Sequence, residues 1–258
     1  MFFGYEDKRH RFEILAQDHA LRHAYLFFGD DGVGKKTFAR MFANFLESGK
    51  FAISEKALID STVFSPDEKG IIGIDEMRRV KKFLFQKPFI SSKRTAIIDC
   101  AEVLTEEAAG ALLKVVEEPP VHTLLIFISQ STESFFPPLL SRFTKEYFPR
   151  LSDEEVERVV REQYKVSEKR AKEIAAESFG RIGRAVNLIE KKKAKKKEEE
   201  TLENIIEQNI FELRAKDPIK NSKKISWLLD RLSLVRRYNV NPKLQLKSVQ
   251  YIIDTKHD

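Results

Sequence analysis

Gly29-Asp-Asp-Gly-Val-Gly34-Lys35-Lys36-Thr37 matches a phosphate-binding loop except at one position. Such a loop reads Gly, four residues, Gly-Lys and then Ser or Thr. Its backbone N–H groups cradle phosphates, its lysine reaches the outer phosphates, and its hydroxyl binds Mg²⁺. Position 36 is lysine here, and an ammonium group has no lone pair for a cation. Thr37 lies roughly 100° further around the following helix, so it does not replace that hydroxyl. The pattern predicts a nucleotide-binding fold without its metal ligand.

Up to about residue 150, short apolar runs alternate with amphipathic stretches. The pattern predicts buried strands at residues 25–28, 96–98 and 124–128, and helices at 36–46, 75–85 and 105–118. Thr105 is a candidate N-cap, and Pro119-Pro120 ends the last of these helices. The alternation predicts an α/β fold with a parallel sheet, whose ligand site lies at the carboxyl ends of the strands.

After Pro149 the sequence predicts helices only. Ser152-Asp-Glu-Glu155 has the pattern of a capping box, and helices are predicted at residues 167–178, closed by Gly180, and at 182–197. Residues 201–258 are expected to form two or three more helices, including 222–238 and 242–253. An apolar stripe there predicts packing on other helices, as does Trp227; the stripe is Ile225, Leu228, Leu229, Leu232 and Val235.

Composition indicates a soluble, mildly basic protein. Of 258 residues, 42% are hydrophobic and 33% charged, with a net charge of +6. That balance is compatible with nucleic acid or acidic partners. The run from Lys191 to Lys197 is either a solvated helix or linker or a nucleic-acid contact, and both interpretations stay open.

The cysteine content and the lack of long apolar runs favour a cytoplasmic protein. Cys100 is the only cysteine, so the chain forms no internal disulfide and no multi-cysteine zinc site. No apolar run reaches the about 20 residues of a membrane span. The first ten residues also lack the long apolar segment of a secretory signal. We expect a cytoplasmic location without a membrane partner.

Five further stretches carry a family resemblance. They are His23-Ala-Tyr-Leu-Phe-Phe-Gly29, Ile72-Gly-Ile-Asp75-Glu-Met-Arg78, Ala111-Leu-Leu-Lys114-Val-Val-Glu117-Glu-Pro-Pro120, Leu139-Leu-Ser141-Arg142-Phe143 and Asn239-Val-Asn-Pro242-Lys-Leu-Gln-Leu246. Their order over about residues 20 to 250 resembles the clamp-loader branch of the AAA+ ATPases, and within it the delta-prime subunits of bacterial DNA polymerase III. Phe143 stands where the family's Ser-Arg-Cys motif has cysteine.

The resemblance implies three domains and a set of partners. An AAA+ P-loop domain is expected at residues 1–150, a small helical lid at 151–197 and a helical collar for oligomerisation at 198–258. The implied partners are gamma/tau-type ATPases and delta in a five-membered ring, with the sliding clamp and primer-template DNA reached through that complex. Many delta-prime proteins have a four-cysteine zinc module after the loop. Residues 48–70 contain no cysteine, so we expect no zinc or other metal.

The resemblance also implies that hydrolysis is lost. Family members use an aspartate to orient Mg²⁺ and a glutamate to activate water; here Asp99 remains, but Cys100, expected to be half-buried at a strand end, replaces the glutamate. Glu102 is a weaker substitute because it is expected to begin the next loop. The lid's Gly-x-x-Arg motif ends in Gly183, flanked by Arg181 and Arg184, and Ser129 and Gln130 fall where the family has a polar sensor of the third phosphate.

Arg142 is the expected exception, since its motif implies an arginine finger that completes a neighbour's ATPase site. A local surface ion pair is the alternative role. We expect a non-hydrolysing stator that requires no cofactor, with binding of ATP or ADP left open; an active gamma-type ATPase and an autonomous DNA-binding protein are the alternatives. The candidate nucleotide-site residues are Gly29, Gly32, Gly34, Lys35, Lys36, Thr37 and Asp99.

Overall fold

The computed structural model of the protein describes residues 4–133, 135, 137–190, 202–237 and 242–254. The chain divides into two compact units, Met1–Glu190 and Lys191–Asp258. The predicted boundary at residue 150 lies inside the first unit and stays a prediction. The predicted boundary at residue 197 lies outside the described residues, as do the lysine run from Lys191 to Lys197 and residues 239–241.

A five-stranded parallel sheet forms the centre of the first unit, which confirms the predicted α/β class. The strands are β1 Ala24–Phe28, β2 Ser61–Phe64, β3 Arg94–Ile98, β4 Thr123–Ser129 and β5 Thr144–Tyr147, in the spatial order β2-β3-β4-β1-β5. The three central strands are the predicted apolar runs. The edge strands β2 and β5 were not predicted, because strands with a single neighbour are less buried and these two are short and largely polar.

Helices cover both faces of the sheet. They are α1 Glu6–Gln17, α2 Lys35–Ser48, α3 Ile74–Leu84 and α4 Glu106–Glu117, followed by the short α5 Pro137–Leu140. Successive side chains of a strand point to opposite faces. Thus Phe27 of β1 packs with α1 and α2, whereas Leu26 packs with α3 and α4. Three of these helices match the predictions within about two residues. The predicted N-cap is also confirmed, since Thr105 Oγ1 accepts a hydrogen bond from the Ala108 N–H at 3.2 Å.

Helix α1 was not predicted from the sequence. Phe12 is the one residue of α1 that is fully buried. It anchors the helix, because its ring lies 5.0–5.6 Å from the rings of four other aromatic residues, Tyr25, Phe27, Phe38 and Phe42. The rest of α1 is polar and gives little helical hydrophobic periodicity.

Three helices follow the sheet within the first unit: α6 Asp153–Tyr164, α7 Glu168–Ser178 and α8 Ile182–Glu190. The predicted capping box is present, with Ser152 and Glu155 exchanging side-chain-to-backbone hydrogen bonds. After α7, Phe179 and Gly180 both have left-handed backbone conformations. A Cβ atom on Gly180 would lie 2.2 Å from the Leu151 carbonyl oxygen, so only glycine fits there.

The described residues of the second unit form α9 Leu202–Lys216, α10 Ser222–Arg237 and α11 Pro242–Asp254. Its core confirms most of the predicted stripe: Ile225, Leu228 and Leu232 are buried, with Trp227 packed against them. The assignment of Leu229 to the stripe was wrong, because it is 44% exposed. At 100° per residue it lies about 80° from the middle of the buried stripe. None of the described helices is long and apolar enough to cross a membrane.

Candidate functional site

The phosphate loop connects β1 to α2 with a backbone that requires glycine. Gly29 has a φ of 142°, and a Cβ atom there would lie 2.2 Å from the Phe148 carbonyl oxygen. Gly34 has a φ of 105° and directly precedes Lys35, the first residue of α2. The N–H groups at the start of α2 therefore face the loop, as in a phosphate cradle. The predicted loop geometry is present in the structure.

Side chains outside the motif brace this loop. The Tyr5 hydroxyl lies 3.1 Å from the Val33 carbonyl oxygen and 2.6 Å from the Pro149 carbonyl oxygen, to which it donates. The Arg150 guanidinium pairs with the Asp30 carboxylate, which neutralises one of the two acidic side chains of the loop. Sequence reasoning missed Tyr5 and Arg150, because both are distant from the motif and belong to no pattern of their own.

Lys35 is buried and turned back onto the loop. Its Nζ donates to the carbonyl oxygens of Gly29 and Asp30, each at 2.6 Å. Desolvation lowers the pKa of Lys35, against the opposing effect of nearby carboxylates such as Asp31. Two of the three ammonium donors are thus used, and one is left for a phosphate oxygen.

Lys36 forms an ion pair across the site. Its Nζ lies 2.7 Å from Asp99 Oδ2, and this carboxylate side chain is 16% exposed. In an active loop, the position-36 hydroxyl and the aspartate together hold Mg²⁺. Here the Lys36 ammonium replaces the hydroxyl and forms an ion pair with the other ligand, Asp99. The residues present therefore do not fit Mg²⁺. Among the described residues, no group of three or more His, Cys, Asp or Glu side chains is placed to hold a metal.

The residues after β3 differ from their predicted environment. Cys100 is exposed rather than half-buried, because the chain turns there into a left-handed conformation with φ 51°. Desolvation in the cleft and neighbouring carboxylates raise the pKa of its thiol to about 11. Such a thiol stays protonated at neutral pH and is a poor base or nucleophile.

Glu102 lies closer to the site than its place in the sequence indicated. It belongs to a single 3₁₀ turn, Ala101–Val103, and its Oε2 is buried without a hydrogen-bond partner. Burial raises its pKa, against the opposing effects of Ser129 and Lys35. Ser129, the predicted phosphate sensor, donates its hydroxyl proton to the Ser131 carbonyl oxygen at 2.8 Å.

The segment Gly180-Arg181-Ile182-Gly183, which has glycine in place of the arginine of the Gly-x-x-Arg motif, contacts the phosphate loop. The Gly183 N–H donates to the Gly32 carbonyl oxygen at 2.7 Å. The two flanking arginines do not line the neighbouring cavity: Arg181 is buried, and the Arg184 guanidinium lies 5.2 Å from the centre of the Phe179 ring. None of the described residues that line the neighbouring cavity is an arginine.

A cavity of about 340 Å³ opens between the loop and the helices α6 and α8. Its polar wall consists of the loop residues, with Thr37, Asp99 and Cys100. Its apolar wall includes Val159 and Tyr164 of α6, Ile182 and Val186 of α8, and Ile128 of β4. The structure therefore brings together all the candidate nucleotide-site residues except Gly29, which shapes the loop behind the cavity.

Arg142 lies on the surface and does not line this cavity. Its Nη2 donates to Glu117 Oε1 at 2.6 Å, and its Nη1 donates to the Pro138 carbonyl oxygen. The side chain remains 37% exposed. Both roles considered for this residue are compatible with that geometry, since a surface ion pair can be exchanged for a neighbour's anion.

Comparison with known protein families gives one match over most of the first unit. A family model described as "DNA polymerase III, delta subunit" matches residues 5–152, more than half of the chain. Sequence relatives carry the names of other subunits. The DNA polymerase III subunit gamma/tau of Mycobacterium bovis is 30% identical over 155 residues, which cover 50% of this chain and 27% of that protein. Subunit tau of Bacillus subtilis is 31% identical and covers 65% of this chain and 33% of its own length.

The chain thus spans about a third or less of the length of these relatives. Among solved structures, a DNA polymerase III gamma subunit-related protein from Thermotoga maritima is similar, with a TM-score of 0.56 and 18% identity. The match covers 93% of this chain and 97% of that one. At this identity the likeness shows the fold, which is that of the AAA+ ATPases.

Proposed function

The chain belongs to the family of DNA polymerase III delta subunits, and we propose that it is a delta-prime-like subunit of a clamp loader that does not hydrolyse ATP itself. In this proposal it is a stator within a ring of related subunits, and it offers Arg142 to the ATPase site of a neighbour. The partners proposed are gamma/tau-type ATPases and delta, with the sliding clamp and primer-template DNA reached through the assembled complex in the cytoplasm.

The ion pair between Lys36 and Asp99 carries the first half of the proposal. Hydrolysis in this fold requires Mg²⁺ to neutralise charge on the transferred phosphoryl group and a base to orient water. The Lys36 ammonium lies 2.7 Å from Asp99 Oδ2, so it competes with a metal for that carboxylate and its positive charge repels a cation there. The neighbouring Cys100 is protonated at neutral pH and supplies no base.

Glu102 does not restore that base. Its raised pKa and buried Oε2 would suit proton transfer, but Glu102 is not among the described residues that line the cavity. A general base must come within hydrogen-bond reach of the attacking water, directly or through one further water. With no metal ligand set beside it, Glu102 has no polarised phosphate to act upon.

The surface position of Arg142 supports the second half of the proposal, in which this arginine reaches the ATPase site of a neighbour. Helix α5 and its following turn hold this arginine at the surface, where its hydrogen-bond partners among the described residues are Glu117, the Ser141 hydroxyl and the Pro138 carbonyl oxygen. A guanidinium that reaches a phosphate in a neighbouring site stabilises the charge of the transition state, worth about 10³–10⁵ in rate in GTPases. Breaking a half-exposed ion pair costs about 0–1 kcal/mol, so the exchange is inexpensive.

An active gamma-type ATPase is the alternative that the gamma/tau names of the relatives favour. That function requires the metal ligand, the base and the lid arginine together. Lysine, cysteine and glycine occupy the three positions, at Lys36, Cys100 and Gly183. We therefore place the chain with the delta-prime type, whose motifs it resembles.

The test uses two variants in a loader reconstituted with gamma/tau-type and delta subunits. Arg142→Ala should assemble normally and lower DNA-stimulated hydrolysis at the neighbouring site by on the order of 10³. Glu117→Gln removes the same surface ion pair but keeps the guanidinium, so it should hydrolyse ATP at the unmodified rate. Equal rates of DNA-stimulated ATP hydrolysis in Arg142→Ala and Glu117→Gln would assign Arg142 to local structure and overturn its finger role. Arg170→Ala, a partly exposed arginine that pairs with Glu173 and Glu177, controls for loss of charge.

A further inference from the structure

We infer that the phosphate loop binds a nucleoside diphosphate without a divalent cation, because the Lys36 ammonium on Asp99 takes the place of the metal. The inference deepens the proposed function and rests on it only for the statement that no hydrolysis follows binding. It concerns a property of this chain that the resemblance to other loaders does not provide.

In an active phosphate loop, two protein groups bind the metal and so define its position. The hydroxyl at the position after the loop lysine and the carboxylate at the end of the neighbouring strand both reach Mg²⁺. Lys36 and Asp99 hold these positions, and their charged atoms are 2.7 Å apart. One positive charge thus lies at the site where Mg²⁺ would supply two. It is held covalently by the chain, so it cannot be removed by a chelator.

The loop retains donors for phosphate oxygens. An ammonium group has three N–H donors. Lys35 uses two on loop carbonyl groups, and Lys36 uses one on Asp99. The N–H groups at the start of α2 and the positive end of its helix dipole add to them. Of the two acidic residues on the loop, Asp30 is paired with Arg150 and Asp31 is exposed to solvent.

The site favours a diphosphate over a triphosphate. The groups that would meet a third phosphate are missing or engaged elsewhere. Gly183 stands at the lid arginine position, and Ser129 donates its hydroxyl proton to the Ser131 carbonyl oxygen. The loop N–H groups serve the first two phosphates, and the loop lysine reaches the outer ones. A third phosphate would therefore add negative charge and meet Lys35 alone, without the other groups that normally contact it.

The cavity beside the loop suits a nucleoside. Its volume of about 340 Å³ lies within the usual range of ligand pockets, about 300–1,000 Å³. Val159, Tyr164 and Val186 present apolar surface and an aromatic ring opposite the charged loop. A ligand with a charged end and a flat apolar end fits this polarity, which excludes free phosphate as the best occupant.

The experiment is calorimetric titration of the full chain with ADP, once in EDTA and once in millimolar Mg²⁺. We expect dissociation constants that agree within about threefold, with ATP no tighter than ADP. Lys36→Thr frees Asp99 and restores a hydroxyl, so its binding should weaken at least tenfold in EDTA and recover with Mg²⁺. Lys145→Thr, an exposed lysine on β5, is the charge-matched control and should behave as the unmodified chain.

A second readout needs no substitution, since Cys100 lines the same cavity. ADP in EDTA should slow its alkylation by iodoacetamide at pH 9 at least fivefold. The inference is overturned by ADP binding that requires Mg²⁺, or by no ADP binding in either buffer. It is also overturned by equal ADP affinities of Lys36→Thr and Lys145→Thr in EDTA. Each of these results leaves the Arg142 experiment unaffected, and failure of the Arg142 experiment leaves the binding result standing.

Discussion

The Gly183 N–H and the Gly32 carbonyl oxygen join helix α8 to the phosphate loop by a main-chain hydrogen bond of 2.7 Å. A Cβ atom at position 183 would lie 3.2 Å from both the Cα and the carbonyl oxygen of Gly32. Glycine at this position therefore has two effects: it removes the arginine of the Gly-x-x-Arg motif and it permits close contact. Helix α8 and the loop are thus joined by a main-chain contact.

Gly183→Ala should loosen this contact. The added methyl group must displace the loop backbone by a few tenths of an ångström, because both neighbouring atoms belong to the main chain. We expect faster amide hydrogen exchange in residues 30–34 and 182–186, with the sheet unchanged. Gly110→Ala is the matched control: a Cβ atom there meets nothing within 4 Å, so it should stabilise α4 by about 0.5–1 kcal/mol. Unchanged exchange in Gly183→Ala would show that this contact does not hold α8 against the loop.

A buried ion pair between Asp60 and Arg94, the first residue of β3, predicts that the stability of the protein depends on pH. Asp60 is fully buried, and its carboxylate accepts hydrogen bonds from the N–H groups of Phe89, Ile90 and Ser91 and from the Arg94 guanidinium. Burial alone would raise the pKa of Asp60, but these hydrogen bonds outweigh it and lower the pKa. The folded state therefore holds the proton less tightly than the unfolded chain does.

Asp60→Asn should lower the free energy of unfolding by about 3 kcal/mol at pH 7, because it leaves the Arg94 guanidinium buried without a counter-charge. The contribution of Asp60 is fully present above its unfolded pKa of about 4. It is lost as the pH falls through the lower folded pKa. Urea unfolding followed by circular dichroism should therefore show a smaller difference between the two proteins at pH 3 than at pH 7. A constant difference would contradict the assigned pKa shift.

Phe12→Ala should cost about 3–5 kcal/mol of stability, because it removes a ring buried among four aromatic neighbours and leaves a cavity. The comparison is Ile14→Ala on the same helix. Ile14 is 41% exposed, so its truncation should change stability by less than about 0.5 kcal/mol. Thermal unfolding of both variants measures the difference, and similar melting temperatures would show that α1 does not depend on this anchor.

Cys100 should react slowly although it is exposed. With a thiol pKa of about 11, its thiolate fraction at pH 8 is roughly two orders of magnitude below that of an ordinary cysteine, whose pKa is about 8.5. Alkylation by iodoacetamide should therefore accelerate tenfold per pH unit from pH 8 to pH 10. A rate that levels off near pH 9 would place the pKa in the ordinary range.

The central sheet and the phosphate loop were predictable because each is encoded within a few consecutive residues. Strands β1, β3 and β4 are apolar runs, and the loop is defined by its glycines and Lys35. The edge strand β5 reads Thr-Lys-Glu-Tyr, which gives no apolar alternation, so only its pairing with β1 reveals it. In the same way α1 depends on a single buried ring, that of Phe12.

The site chemistry was predictable only in part. The sequence shows that Lys36 cannot bind a cation and that Asp99 is retained. It does not show that the two charges meet, because 63 residues separate them and only the packing of α2 beside β3 brings them together. The brace from Tyr5 and the pairing of Asp30 with Arg150 are long-range contacts of the same kind. The exposure of Cys100 depends on a left-handed turn that its sequence does not require.

The most direct test of the account is ATP turnover by the purified chain alone, measured with Mg²⁺ and beside Lys35→Ala as the background. We predict that the two proteins are indistinguishable, while adding the unmodified chain to its partner subunits raises their DNA-stimulated turnover. Steady hydrolysis by the isolated chain that Lys35→Ala abolishes would contradict the account.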